Sequence, residues 1–157
     1  MNFTRRSTLA AFLAACSLGA AAQTPVKVED AWVRGTVPRQ QATGAFMRLT
    51  AERNIRLVAA TSPLASVVEI HEMVLDNDVM KMRQIPGLAL AAGRTTELKP
   101  GGWHIMLMAL KAQVKAGESV PISLVFEDET GQRFRQDIVA TATALGTPPA
   151  GMPQHKH

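Results

Sequence analysis

From residue 26 onward the chain alternates apolar and polar positions with a period of two, the signature of half-buried β-strands. This pattern predicts strands over 26–33, 43–51, 55–60, 67–75, 79–85, 103–110, 120–126 and 133–142. In the first, Val26, Val28 and Asp30 fall on one side, Lys27 and Glu29 on the other, and Trp32 anchors the core. Phe46 and Leu49 mark the second. Turn chemistry separates the runs: Ser62-Pro63, Asp76-Asn77-Asp78, Pro86-Gly87, Lys99-Pro100-Gly101-Gly102, Lys115-Ala116-Gly117-Glu118 and Asp128 to Gly131. No internal repeat is present and no long helix is called for.

Two of these predictions matter most. Strands 67–75 and 79–85 flank a three-residue turn composition and form a hairpin, in which His71 and Met73 share one face and Met80 and Met82 share another. Such a hairpin can bring His71 close to Met82. On 103–110, alternation puts His104, Met106 and Met108 on one side and Ile105, Leu107 and Ala109 on the other. Trp103 reads as packing, and Gly101 and Gly102 as a tight backbone ahead of the strand.

The 157 residues bound the architecture to one all-β domain, a sandwich of seven to nine strands, with short tails. With 46% hydrophobic residues and interspersed charges, the composition is that of a globular protein. The formal charge of +4 is partly borne by Arg5 and Arg6; without them 15 Lys and Arg face 13 Asp and Glu. Seven Phe and Trp, with no Tyr, give no basic and aromatic face for nucleic acid.

Residues 1–22 have the layout of an export signal: Arg5 and Arg6, an apolar run over 9–18, then Ala20-Ala21-Ala22. Cleavage is expected after Ala22, leaving a domain over 23–145 in the periplasm and a tail over 146–157. Leu13-Ala14-Ala15-Cys16 offers an alternative, lipidation at Cys16 and a membrane anchor; Arg5-Arg6 is a weak twin-arginine signal. Cys16 is the only cysteine, so the mature domain has no disulfide and no thiolate ligand. Blue-copper electron carriers need a Cys beside two His, which argues against an electron-transfer role.

Four residues stand at the spacing H-x10-M-x21-H-x-M: His71, Met82, His104 and Met106. Imidazole with thioether is a set that hard Mg²⁺ and Ca²⁺ do not use and soft Cu(I) does. Zinc sites draw on Cys, His and carboxylates, so two Met argue against zinc. Singly, each His or Met reads as a hydrogen-bonded or core residue.

The text E-I-H-E-M, M-K-M-R and L-K-P-G-G-W-H-I-M-L-M-A-L around those positions resembles the PCu(A)C family of periplasmic copper chaperones, from about Val28 to Val139. The opening A-W-x-R followed by G-A-F is similar as well. The resemblance implies a cupredoxin-like Greek-key β-sandwich holding one Cu(I) at His71, Met82, His104 and Met106. It also implies delivery to the copper centre of cytochrome c oxidase, or to another small copper carrier. Met73, Met80 and Met108 are expected as walls of the site or packing. Met152, His155 and His157 in the tail could form a second, weaker site suited to Cu(II).

No enzyme motif appears: there is no G-x-S-x-G, H-E-x-x-H, phosphate loop or C-x-x-C-H. Glu69 and Glu72 read as exposed hairpin carboxylates. Besides the electron carrier, a metal-free sandwich that offers its Met face to a partner is the other reading the residues allow.

Overall fold

The computed structural model describes residues 26–146. They form ten strands: β1 (Val26–Arg34), β2 (Ala42–Ala51), β3 (Ile55–Thr61), β4 (Ala65–Asp76), β5 (Val79–Gln84), β6 (Leu88–Leu90), β7 (Thr95–Leu98), β8 (His104–Leu110), β9 (Ser119–Asp128) and β10 (Arg133–Thr143). All pairings are antiparallel except β1 with β10. The hydrogen-bonded order is β5-β4-β8-β2-β1-β10-β9-β3-β6, with β7 added to β2. This path curls into a cupredoxin-like β-sandwich around one apolar core.

The core draws on every strand but β5. Met47, Leu49, Leu57, Leu90, Leu98, Ile105, Leu107, Ile122, Leu124 and Phe126 are fully buried in it. Each such side chain contributes about 1.5–3 kcal/mol of transfer free energy, which is how a domain without disulfides is held together. By contrast β5 is exposed along its whole length. It is an edge strand carried by its hairpin with β4.

Ten strands exceed the seven to nine expected because β6 and β7, of three and four residues, are too short to show a period. Trp32 also departs from expectation. A bulge between Glu29 and Trp32, with Asp30 at φ 51°, shifts the alternation of β1. Val33 then enters the main core, and Trp32 is buried on the opposite face, packed against Phe46 with the rings tilted and 4.4 Å between centroids. A second irregularity, Ala109 at φ 49°, ends the alternation of β8 and leaves Ala109 exposed and Leu110 buried. Trp103 is 41% exposed and is not a core residue, because β8 begins only at His104.

Candidate metal centre

The centre lies on the outer face of the sheet where β5, β4, β8 and β2 run side by side. The β4–β5 hairpin closes through Asn77 and Asp78, both at positive φ (50° and 60°), with Asp76 paired to Val79. That is the two-residue turn whose twist suits a hairpin, and Asn and Asp tolerate the left-handed region at small cost. The turn fixes the register: Met73 stands opposite Met82, and His71 opposite Gln84. On the other side of β4, His71 pairs with His104 and Glu69 with Met106. Gly44 of β2 pairs with Met106.

This register brings the His and Met side chains to one face. Met82 reaches over β4, so that its Sδ lies 3.1 Å from Nε2 of His104. The rings of His71 and His104 are 5.8 Å apart. Met73, Met82, His104 and Met106 line one open cleft of about 330 Å³, together with Arg34, Gly44 and Phe46. His71 lies beside the cleft rather than in its wall.

The proton positions follow from the neighbours. Nδ1 of His104 sits 3.0 Å from the Gly102 carbonyl, which can only accept, so Nδ1 carries the proton and Nε2 keeps its lone pair. Burial lowers the His104 pKa below the ordinary 6.5, and nearby His71 and Arg34 push the same way against the Gly102 hydrogen bond. The ring is therefore a neutral donor at neutral pH. His71 is arranged the other way round: Nε2 is 2.7 Å from the Glu69 carboxylate, and Nδ1 is buried without a hydrogen-bond partner. A buried imidazole nitrogen with nothing to bond is costly unless it serves as a ligand.

The electrostatics select among cations. No carboxylate lines the cleft, and the charged residue in its wall, Arg34, is positive, its guanidinium 5.6 Å from the Phe46 ring; the Glu69 carboxylate stands outside the wall, held on His71. Among the described residues no group of three or more His, Cys, Asp or Glu is placed to hold a metal. What converges is neutral imidazole and thioether, a set fit for a soft cation of low charge.

Of the residues expected as walls, Met73 lines the cleft, and Met80 and Met108 do not. Register explains both: Met80 pairs with Leu75 toward the hairpin tip and is half exposed, and Met108 lies farther along β8 opposite Ala42 and Val67. Glu69 and Glu72 are not free hairpin carboxylates; Glu69 holds His71, and Glu72 accepts from Arg83 at 2.7 Å. Met152, His155, His157 and Cys16 lie outside the described residues. Sequence reasoning missed Gly44 and Phe46 as parts of the site. A Cβ on Gly44 would meet Phe46 Cζ at 2.7 Å, so the glycine lets the aromatic ring fold back under the cleft. Its only signal was the G-A-F text.

The family model for LpqE-like proteins matches residues 26–138. The chain is 38% identical over 136 residues to Lxx21020 of Leifsonia xyli subsp. xyli, a protein named as a candidate lipoprotein, covering 79% of this chain and 82% of that one. It is 30% identical over 115 residues to RP573 of Rickettsia prowazekii, covering 69% of this chain and 64% of the relative. Among solved structures, the Cu(I) form of DR1885 from Deinococcus radiodurans is 34% identical, with a TM-score of 0.54 over 80% of this chain and 83% of that one. The copper-bound PCuAC domain of PmoF2, at 21% identity, is similar in fold, with a TM-score of 0.59 over 77% and 94%.

Proposed function

Because the chain belongs to the LpqE-like family of PCuAC-type domains, we propose that it is an exported copper chaperone. It carries one Cu(I) on His71, Met82, His104 and Met106 as cargo, and passes the ion to another protein. The observation that carries this reading is the 3.1 Å approach of the Met82 thioether to the unprotonated nitrogen of His104, in a cleft that also contains Met106 and no carboxylate. The Cu(I) form of DR1885 supports the choice of cation. His71 supplies the fourth donor through its unpartnered nitrogen.

Neutral thioether and imidazole ligands leave the bound ion positive and are readily displaced one at a time, which suits hand-off through shared-ligand intermediates. The recipient is the copper centre of cytochrome c oxidase or another small copper carrier. The chain works in the periplasm after cleavage at residue 22, or from a lipid anchor on Cys16, a possibility to which the lipoprotein name of the Leifsonia relative lends weight. The tail residues Met152, His155 and His157 form a second, weaker Cu(II) site.

The test is an anaerobic Cu(I) titration of the exported chain against a competing chelator, beside the Met82→Leu, Met106→Leu double variant. Leucine keeps the volume and apolar character, so the fold survives. The variant should lose Cu(I) affinity by far more than Cu(II) affinity, because imidazole serves both ions and thioether only the softer one. Unchanged Cu(I) binding in the double variant would reduce both methionines to packing residues.

A further inference from the structure

The sheet forks at the metal centre. Strand β8 begins at His104, level with His71 on β4. Strand β2 pairs with β8 over residues 42–45 and with β7 over residues 47–50. Beyond His71, residues 72–76 of β4 pair with β5 on one side and with no described strand on the other. Strand β7 likewise has one partner, β2. Two half-used strand edges therefore flank the space that an extension of β8 would fill.

That space is an open groove of about 550 Å³, walled by Glu72 and Met73 on one side and Thr95, Thr96 and Glu97 on the other. Ala89 and Ala91 lie along it, and the exposed Trp103 stands at its head next to His104. Met73 lines both this groove and the metal cleft, so the two are continuous. A strand with one neighbour turns the N–H and C=O groups of alternate residues outward. Just past β7, the outward N–H of Lys99 is taken by the Trp103 carbonyl at 2.8 Å. Counting back in twos, the backbone groups of Thr95 and Glu97 face the groove.

We propose that this groove receives an extended segment of the protein with which the chain exchanges copper. The segment adds as a strand between β7 and β4, in line with β8, and brings its own ligand up to His104. This inference rests on the copper-delivery reading and names how the partner is held. Strand addition supplies backbone hydrogen bonds with little demand on sequence, while the charges around the groove set a preference. Glu72 is engaged by Arg83 and Glu97 by Lys99, at 2.7 and 3.1 Å, and Arg94 makes no ion pair among the described residues. The uncompensated charge is positive, so the incoming segment carries an acidic residue.

The experiment follows Cu(I) transfer from the exported chain to two acceptors: the metal-free soluble copper-centre domain of cytochrome c oxidase, and the small chelator bicinchoninate. Glu97→Pro removes an N–H that faces the groove and donates no bond to β2. Ala89→Trp fills the groove from an exposed position and leaves every backbone group intact. Both variants should slow transfer to the domain by about tenfold, the equivalent of one or two lost backbone hydrogen bonds, with transfer to the chelator unchanged. If Glu97→Pro misfolds, Ala89→Trp carries the test alone. Wild-type rates to the domain in both variants would overturn this inference and leave the delivery reading standing. A wild-type chain that yields copper to the chelator and never to the domain would overturn direct delivery to the oxidase and this inference with it. A wild-type dimer dissociated by Ala89→Trp would assign the groove to a second copy, and so also overturn it.

Discussion

Replacing Gly44 by alanine should damage the metal centre from beneath without touching a ligand. The new Cβ would stand 2.7 Å from Phe46 Cζ, and ordinary contact begins at 3.4 Å, so the ring tip must move by at least 0.7 Å. Phe46 has little freedom to do so. It is 3% exposed and packed on Trp32 at 4.4 Å, with the His104 ring 6.2 Å away. Overpacking of this kind costs about 1–3 kcal/mol, and relief from the entropy of a strand glycine returns roughly 0.5–1 kcal/mol. The net loss in chemical denaturation should be about 1 kcal/mol, and at most ~2.5 kcal/mol by the same bookkeeping. Because Gly44 is opposite Met106, displacement of the ring also moves the ligand face, and Cu(I) affinity should fall about tenfold, as when a supporting residue of a metal site is altered. Adding Phe46→Leu to Gly44→Ala removes the ring and should recover part of both losses, a coupling that the double-mutant cycle isolates. If Gly44→Ala left stability and Cu(I) affinity at wild-type values, or if Phe46→Leu recovered nothing, the packing argument for this wall would be wrong.

Other expectations follow from the same geometry. The folded His104 pKa lies below 6.5, so the unfolded chain takes up this proton first; stability of the metal-free domain should therefore rise as pH climbs through the region just below 6.5. Urea denaturation across that range should show the slope in the wild type and a smaller one in His104→Gln. Deleting the tail after Ala150 should remove any additional Cu(II) site and leave Cu(I) affinity intact, as read by separate titrations with the two ions; loss of Cu(I) binding would mean that the tail completes the main centre.

Much of the shared His and Met face could be read from the sequence because it depends on strand alternation and one turn. Asp76-Asn77-Asp78 announced the hairpin, and alternation alone grouped His71 with Met73 and His104 with Met106. What could not be read depends on contacts distant in sequence or on breaks in the period. The bulge at Asp30 turns Trp32 under the metal centre, and nothing in the local pattern distinguishes it from a residue of the main core. Strands β6 and β7 are too short to declare themselves, so the fork in the sheet was invisible. Glu69 is a different case, since the alternation of 67–75 already puts it on the face of His71, and only its charge made it read as a surface carboxylate. Met80 and Met82 are equivalent by alternation, and only the register with β4 separates the one that meets His104 from the one near the hairpin tip.

The central claim is that sulfur from Met82 and Met106 and nitrogen from His71 and His104 surround one Cu(I). X-ray absorption at the copper edge, on the exported chain loaded with one equivalent of Cu(I) under anaerobic conditions, addresses it directly. The account predicts a mixed shell with both sulfur and imidazole nitrogen neighbours, and loss of the sulfur component in the Met82→Leu, Met106→Leu variant. A shell of nitrogen and oxygen alone in the unaltered protein would contradict it.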